Sequence, residues 1–148
     1  MRLLRRSPVQ TFILVPLGVV AFEAAMGTLR FEPVFLLVMA WGFAQYRLCG
    51  RYRVRLRGGG PGFDKPPERL VTTGVYAWTR NPMYLGHIIY MIGVALAFQS
   101  WLGALIAIAR TVWFHSRVLR DEKRLVVQFG EPYVAYLRKV RRWLPLLF

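Results

Sequence analysis

Two short stretches hold most of the residues able to do chemistry. One is GVYAWTRNPMYLG, Gly74 to Gly86; the other opens with RDEKRLVVQFG at Arg120. In the first, the residue before a proline is biased away from helix, so Asn81 should stand just outside a helix that Pro82 begins. The free amides of that first turn offer partial positive charge to an anion. Arg80 adds a guanidinium able to grip a carboxylate or phosphate through two parallel hydrogen bonds. Gly86 permits close approach of a ligand or a second helix. A plain interfacial helix start, anchored by Arg, Asn, Tyr and Trp, is the competing reading. In the second stretch, Asp121 and Glu122 are adjacent carboxylates in a chain with only 7 Asp+Glu. Neighbouring helical positions point about 100° apart, so one can bind a ligand amine while the other pairs with Arg or Lys. A solvated face with local pairs among Asp121, Glu122, Lys123 and Arg124 is the simpler alternative. His87 adds one titratable group beside Gly86. His87, His115 and the single Cys49 make no metal site, and one cysteine excludes an internal disulfide.

The elements that position these residues are apolar runs separated by basic loops. The 148 residues are 55% hydrophobic, yet carry 21 Lys+Arg and a net charge of +14. Nucleic-acid binding is the rival explanation for so basic a chain. The segregation of charge from long apolar runs favours a membrane protein with no nucleic-acid partner. Spans are expected at approximately 9–26, 33–48, 83–98 and 103–119. The first resembles a signal peptide with a site near Ala25, but its length suits a retained anchor. Glu23, near its far end, is expected at the interface, with pairing to Arg30 or an inward position as alternatives. The loop 49–81 is basic: Arg51, Arg53, Arg55 and Arg57 alternate with Tyr52, Val54 and Leu56 in a pattern compatible with a short extended segment, and Gly58 to Gly62 form a hinge. Small residues on the third and fourth runs, Gly93, Ala95 and Ala97 against Gly103, Ala104, Ala107 and Ala109, suit a close helical hairpin. Arg110, inside the fourth run, must find water, a carboxylate or a ligand.

Beyond the fourth run, residues 120–142 return to helical spacing, with Gly130 as a stop and Pro132 in the next first turn. Tyr133, Tyr136, Leu137 and Val140 then share one face of an amphipathic, interfacial helix. Positive residues cluster at the N-terminus, in the 47–80 loop and in the tail. Four spans with both termini inside satisfy that distribution. The expectation is an all-α integral membrane fold of about four transmembrane helices and a C-terminal interfacial helical region, forming one domain over 1–148.

Both motifs fall on the cytoplasmic side of this topology. Together they resemble the family of small integral-membrane methyltransferases that includes isoprenylcysteine carboxyl methyltransferase and phosphatidylethanolamine N-methyltransferase. Its pattern is approximately G-x-Y-x-x-x-R-[HN]-P-x-Y-x-G, then a helical hairpin, an acidic pair, L-x-x-x-F-G-x-x-Y-x-x-Y and a basic stretch ending in Pro. Here these are Gly74, Tyr76, Arg80, Asn81, Pro82, Tyr84 and Gly86, followed by Asp121–Glu122, Leu125, Phe129, Gly130, Tyr133, Tyr136 and Pro145. The match covers roughly the last half of the chain.

The resemblance implies S-adenosylmethionine as cofactor and a lipophilic acceptor entering from the bilayer: a phospholipid amine, an isoprenylcysteine-like carboxylate or a lipid phenol. It assigns Tyr76, Arg80, Asn81, Tyr84, Gly86, Asp121, Glu122, Tyr133 and Tyr136 to the cofactor. Arg80 or Asn81 would take the methionine carboxylate, and Glu122 the amino group or ribose. Glu122 and His87 are the candidate proton acceptors. Asn81 stands where the carboxyl-methylating branch has histidine; an amide does not titrate, so it acts as a ligand. A prokaryotic inner membrane is the expected location, and no partner protein is implied. Two other readings remain: a sterol-reductase-like nicotinamide enzyme, and a non-enzymatic basic membrane anchor.

Overall fold

The computed structural model describes residues 7–59 and 67–143. Among them all regular structure is helical: α1 (Ser7–Ala25), α2 (Leu36–Arg55), α3 (Pro82–Ala97), α4 (Trp101–Phe129) and α5 (Glu131–Lys139), with single 3₁₀ turns at Pro33–Phe35 and Gly74–Ala77. Pro82 opens α3 and Asn81 stands outside it, as the asparagine–proline step requires. Gly130, at φ 61°, separates α4 from α5, and Pro132 sits in the first turn of α5. Arg2, Arg5, Arg6, most of the glycine hinge and Pro145 lie outside the described residues.

Two helices, α1 and α4, are long and apolar enough to cross a membrane. Of the other two expected spans, α3 is apolar but has 16 residues. Helix α2 does not stop near Leu48 but continues through Arg55. Arginine is a good helix former, so the Arg–apolar alternation there does not make an extended segment. Arg47, Arg51 and Arg55, four residues apart, are exposed. Helix α4, at 29 residues, is about 43 Å long against a hydrocarbon core of about 30 Å. Its apolar stretch ends near Leu119, and the turns carrying Asp121 and Glu122 lie beyond.

The described residues divide into two compact units, and α2, α3 and α4 each contribute a part to both. The first unit comprises the chain to Gln45 with Gly86–Val112. Glycine holds its helices close. A Cβ on Gly42 would lie 2.5 Å from the Tyr90 amide nitrogen and 2.7 Å from the Gly86 carbonyl oxygen. One on Gly93 would meet Met39 of α2, so Gly93 serves the α2 contact and not the hairpin. Gly103 does serve the hairpin, with a Cβ position 3.1 Å from Ala95 Cα.

Hydrogen bonds join several polar groups in this unit. Arg110 donates to the side-chain amide oxygen of Gln10 at 3.0 Å, a neutral partner in place of the expected water, carboxylate or ligand. Glu23 is buried and takes an inward position. Its carboxylate accepts from Ser100 and Thr28, each at 2.6 Å. Ser100 in turn accepts from the Gly103 amide at 3.0 Å, placing Glu23 at the positive end of α4. Arg30 bonds Gln99 instead.

The second unit comprises Tyr46–Leu85 with the chain from Trp113. Tyr133, Tyr136 and Val140 form a buried cluster lined by Leu70, Leu125, Val126, Phe129 and Leu137. The apolar face of α5 therefore packs on protein within this unit. Packing that face against neighbouring side chains takes apolar surface out of water. Gly74 has φ 60°, and a Cβ there would lie 2.8 Å from the Tyr52 hydroxyl. Both facts require glycine at this motif position.

Candidate functional site

Glu122 is the hub of the second unit. It lies on the turns of α4 beyond the apolar stretch and is buried. Arg80 Nη2 stands 3.3 Å from its Oε1. Arg142 reaches it in two-pronged fashion, Nη2 to Oε2 at 2.9 Å and Nε to Oε1 at 3.2 Å. The Arg142 guanidinium is pushed above its ordinary pKa chiefly by that hydrogen bond to Glu122.

Arg80 is fixed by the backbone of α5 and of the chain just beyond it. Its amide donates to the Arg141 carbonyl at 3.0 Å and its Nη1 to the Leu137 carbonyl at 3.3 Å. Thr79 and Asn81 both donate side-chain hydrogens to the Arg142 carbonyl, at 3.2 and 3.1 Å. Residues 140–143 thus form a strap over the Thr79–Asn81 turn. Trp143 pins the strap to α4 by donating to His115 Nδ1 at 3.2 Å. The Nε–H of Arg80 is buried without a hydrogen-bond partner among the described residues.

Asp121 has a different environment. Tyr84 donates to its Oδ2 at 3.4 Å, and Arg117 Nε is 3.9 Å away. Burial raises its carboxyl above the ordinary carboxylate range, against the opposing pull of Arg117, Tyr84, Arg124 and Arg53. Tyr76, Tyr133 and Tyr136 are buried phenols. Burial pushes all three above the ordinary phenol value, so they stay protonated at neutral pH. Tyr136 donates to the Tyr76 carbonyl at 2.6 Å, tying α5 to the Gly74–Ala77 turn. Arg53, Arg80, Arg117 and Arg142 act on two carboxylates, which leaves the cluster positive.

Eight of the expected site residues therefore come together in one unit: Tyr76, Arg80, Asn81, Tyr84, Asp121, Glu122, Tyr133 and Tyr136. Gly86 and His87 fall in the other. The Gly86 carbonyl faces Gly42 in a helix contact, and His87 stacks on Phe12 at 4.8 Å beside Tyr90 in an aromatic group.

Residues 58–131 match the family described as Phospholipid methyltransferase. The chain belongs to that family. Curated relatives align over about 80 residues. The human Protein-S-isoprenylcysteine O-methyltransferase is 38% identical over 53% of this chain and 28% of its own length. Its namesakes in Saccharomyces cerevisiae and Schizosaccharomyces pombe are 38% and 34% identical over 53% of this chain and 33% and 34% of theirs. The matched stretch is thus about a third of each relative. The family match spans both the Arg80–Gly86 motif and the acidic pair.

Residue spacing alone gave no sign of Arg142, Thr79 or Trp143. Arg142 is one of several basic residues in the last turn of α5 and just beyond it, and only the strap's path distinguishes it from Arg138, Lys139 and Arg141, which are exposed.

Proposed function

We propose that this chain transfers a methyl group from S-adenosylmethionine to a lipophilic acceptor in the membrane, with its site on the cytoplasmic face. The observation that carries the reading is the convergence of both family motifs, about 40 residues apart in sequence, on the Arg80–Glu122–Arg142 cluster. The residues fit the cofactor's amino-acid end. A buried guanidinium with one N–H to spare, in a positive cluster, suits a carboxylate. Bound S-adenosylmethionine supplies a methyl group already activated on a sulfonium.

The chain's own residues then have to bind, orient and exclude water. Arg80 holds the carboxylate. Glu122 aligns Arg80 with Arg142, beside the place where the cofactor's amino group or ribose would lie. Asn81 fixes the strap through the Arg142 carbonyl. The neutral phenols of Tyr133 and Tyr136 wall the site without adding charge. His87, stacked on Phe12, packs the membrane helices. The acceptor's lipophilicity accords with both names among the comparisons, one specifying phospholipid and the other isoprenylcysteine. The exposed Arg47, Arg51 and Arg55 face anionic headgroups at the cytoplasmic surface, as the positive-inside rule requires.

Titration of detergent-purified protein with S-adenosylhomocysteine by calorimetry tests the reading. Saturable binding is expected, weakened at least about tenfold by Arg80→Gln, the loss of one charged hydrogen bond. A folded, monodisperse wild-type protein that binds nothing would overturn it.

A further inference from the structure

The first unit holds a buried carboxylate beside a cavity of its own. Glu23, near the end of α1, is 4% exposed. Both its oxygens accept from hydroxyls at 2.6 Å, Oε1 from Ser100 and Oε2 from Thr28. The Gly103 amide donates to the Ser100 oxygen, which leaves the hydroxyl hydrogen for Glu23. Contacts of about 2.5–2.7 Å are those of a hydroxyl with an ionised carboxylate. Yet among the described residues no cation is paired with Glu23. A buried charge held by neutral groups alone is costly, and a positive ligand lowers that cost.

The carboxylate lines a cavity of about 230 Å³ with Phe22, Thr28, Arg30, Gln99 and Trp101. All of these belong to the first unit and none to the unit of Glu122. Phe22 and Trp101 meet edge to face with ring centroids 5.6 Å apart, an aromatic wall on which an ammonium can rest. Arg30 is exposed and bonds Gln99 at 3.3 Å, and Gln99 reaches Glu32 at 3.4 Å. The Glu32 amide donates to the Ala97 carbonyl at 2.7 Å, which holds the Arg30 segment on the α3–α4 hairpin. The five N–H groups of a guanidinium exceed what Gln99 takes, so Arg30 has donors left for an anion.

These charges select the ligand. A bare cation would be repelled by Arg30. A calcium ion takes six to eight oxygens, and no group of three or more His, Cys, Asp or Glu able to hold a metal stands among the described residues. A zwitterion satisfies both Glu23 and Arg30. A primary ammonium donates to the remaining carboxylate lone pairs, which a quaternary one cannot do. The cavity is smaller than the roughly 300–1,000 Å³ of sites that enclose drug-sized ligands, so it suits a headgroup whose chains stay outside. The exposed Trp101 on its wall is the residue type found at headgroup depth. Going beyond the methyl-transfer reading and independently of it, we propose that this cavity binds the aminophosphate headgroup of a phosphatidylethanolamine-type lipid, its ammonium against Glu23 and its phosphate against Arg30.

The test titrates the full chain in detergent by calorimetry, without S-adenosylmethionine. The probes are short-chain phosphatidylethanolamine, phosphatidylcholine and phosphatidylglycerol, and free phosphoethanolamine. Circular dichroism and the elution profile check that each variant is folded. Phosphatidylethanolamine should bind saturably and at least about tenfold more tightly than the other three, the worth of one charged hydrogen bond. Glu23→Gln and Arg30→Gln should each weaken it at least about tenfold, and Arg80→Gln should leave it within about threefold. Should Glu23→Gln fail to fold, Arg30→Gln at its exposed position decides. Equal binding of phosphatidylcholine or phosphatidylglycerol, or an Arg30→Gln affinity within about threefold of wild type, would overturn the proposal. Free phosphoethanolamine binding as tightly as the lipid would overturn the lipid assignment in favour of a soluble aminophosphate. Loss of lipid binding in Arg80→Gln with none in Arg30→Gln would overturn it in favour of the methyl-acceptor site. S-adenosylhomocysteine binding, measured separately, is expected unchanged in Arg30→Gln, so the two readings fail independently.

Discussion

Removing the Glu122 carboxylate should cost more than removing the arginine that holds it most tightly. In Glu122→Ala, Arg80 and Arg142 are left facing each other with their shared anion gone. The side chains of Arg80 and Glu122 are 9% and 11% exposed, and that of Arg142 is 28% exposed. Stripping the partner from a buried ion pair costs roughly 3–5 kcal/mol. In Arg142→Ala, the Arg80–Glu122 pair survives. Only the two-pronged bond is lost, worth about 1.5–3 kcal/mol for hydrogen bonds to a charged group. A chain of this length shifts its melting temperature by roughly 2–4 °C per kcal/mol. Glu122→Ala should therefore melt about 6–20 °C below wild type and Arg142→Ala about 3–12 °C below, measured by circular dichroism in one detergent. The double variant should melt no lower than Glu122→Ala, because one of the two opposed cations is then gone. A Glu122→Ala protein as stable as Arg142→Ala would refute the idea that Glu122 is the hub.

Two further outcomes follow from the packing and the phenols. Gly42→Ala pushes a methyl into the Tyr90 amide and the Gly86 carbonyl, neither of which can swing aside; a loss of about 1–3 kcal/mol is expected in a detergent unfolding series. Gly18→Ala on α1 meets nothing within 4 Å and should be neutral or gain up to about 1 kcal/mol. The buried phenols Tyr76, Tyr133 and Tyr136 have folded-state values raised above the unfolded value of about 10. Above about pH 10 the unfolded chain releases protons that the folded chain keeps, so stability falls as pH rises through that range. Tyr133→Phe should flatten this alkaline decline in melting temperature.

Local rules read well here because they concern neighbours in sequence. The helix start at Asn81–Pro82, the break at Gly130 and the shared face of Tyr133, Tyr136, Leu137 and Val140 all depend on residues within a turn or two of one another. The two motifs could be joined because each holds unusual residue types at fixed spacing. What stayed hidden depends on partners far away. Glu23 reads as interfacial until Ser100, 77 positions later, turns out to be its donor. Gly93 looks like a hairpin residue until Met39 occupies the space beside it. The Arg80 cation could be expected to meet an anion, but its second cation, Arg142, is indistinguishable by type from the surface arginines around it. The amphipathic pattern of α5 was plain, whereas lipid and protein satisfy such a face equally well on paper.

The strap has a consequence for the order of events during synthesis. Asn81 and its acceptor at Arg142 are 61 residues apart in the chain. At about 5–20 residues per second, the ribosome needs roughly 3–12 s to deliver the second after the first. Through that interval the Thr79–Asn81 turn has water in place of the Arg141 and Arg142 carbonyls, and Arg80 has no backbone to hold it. The nascent protein can insert its helices early, but its cation cluster is set only when the last turn of the described chain arrives.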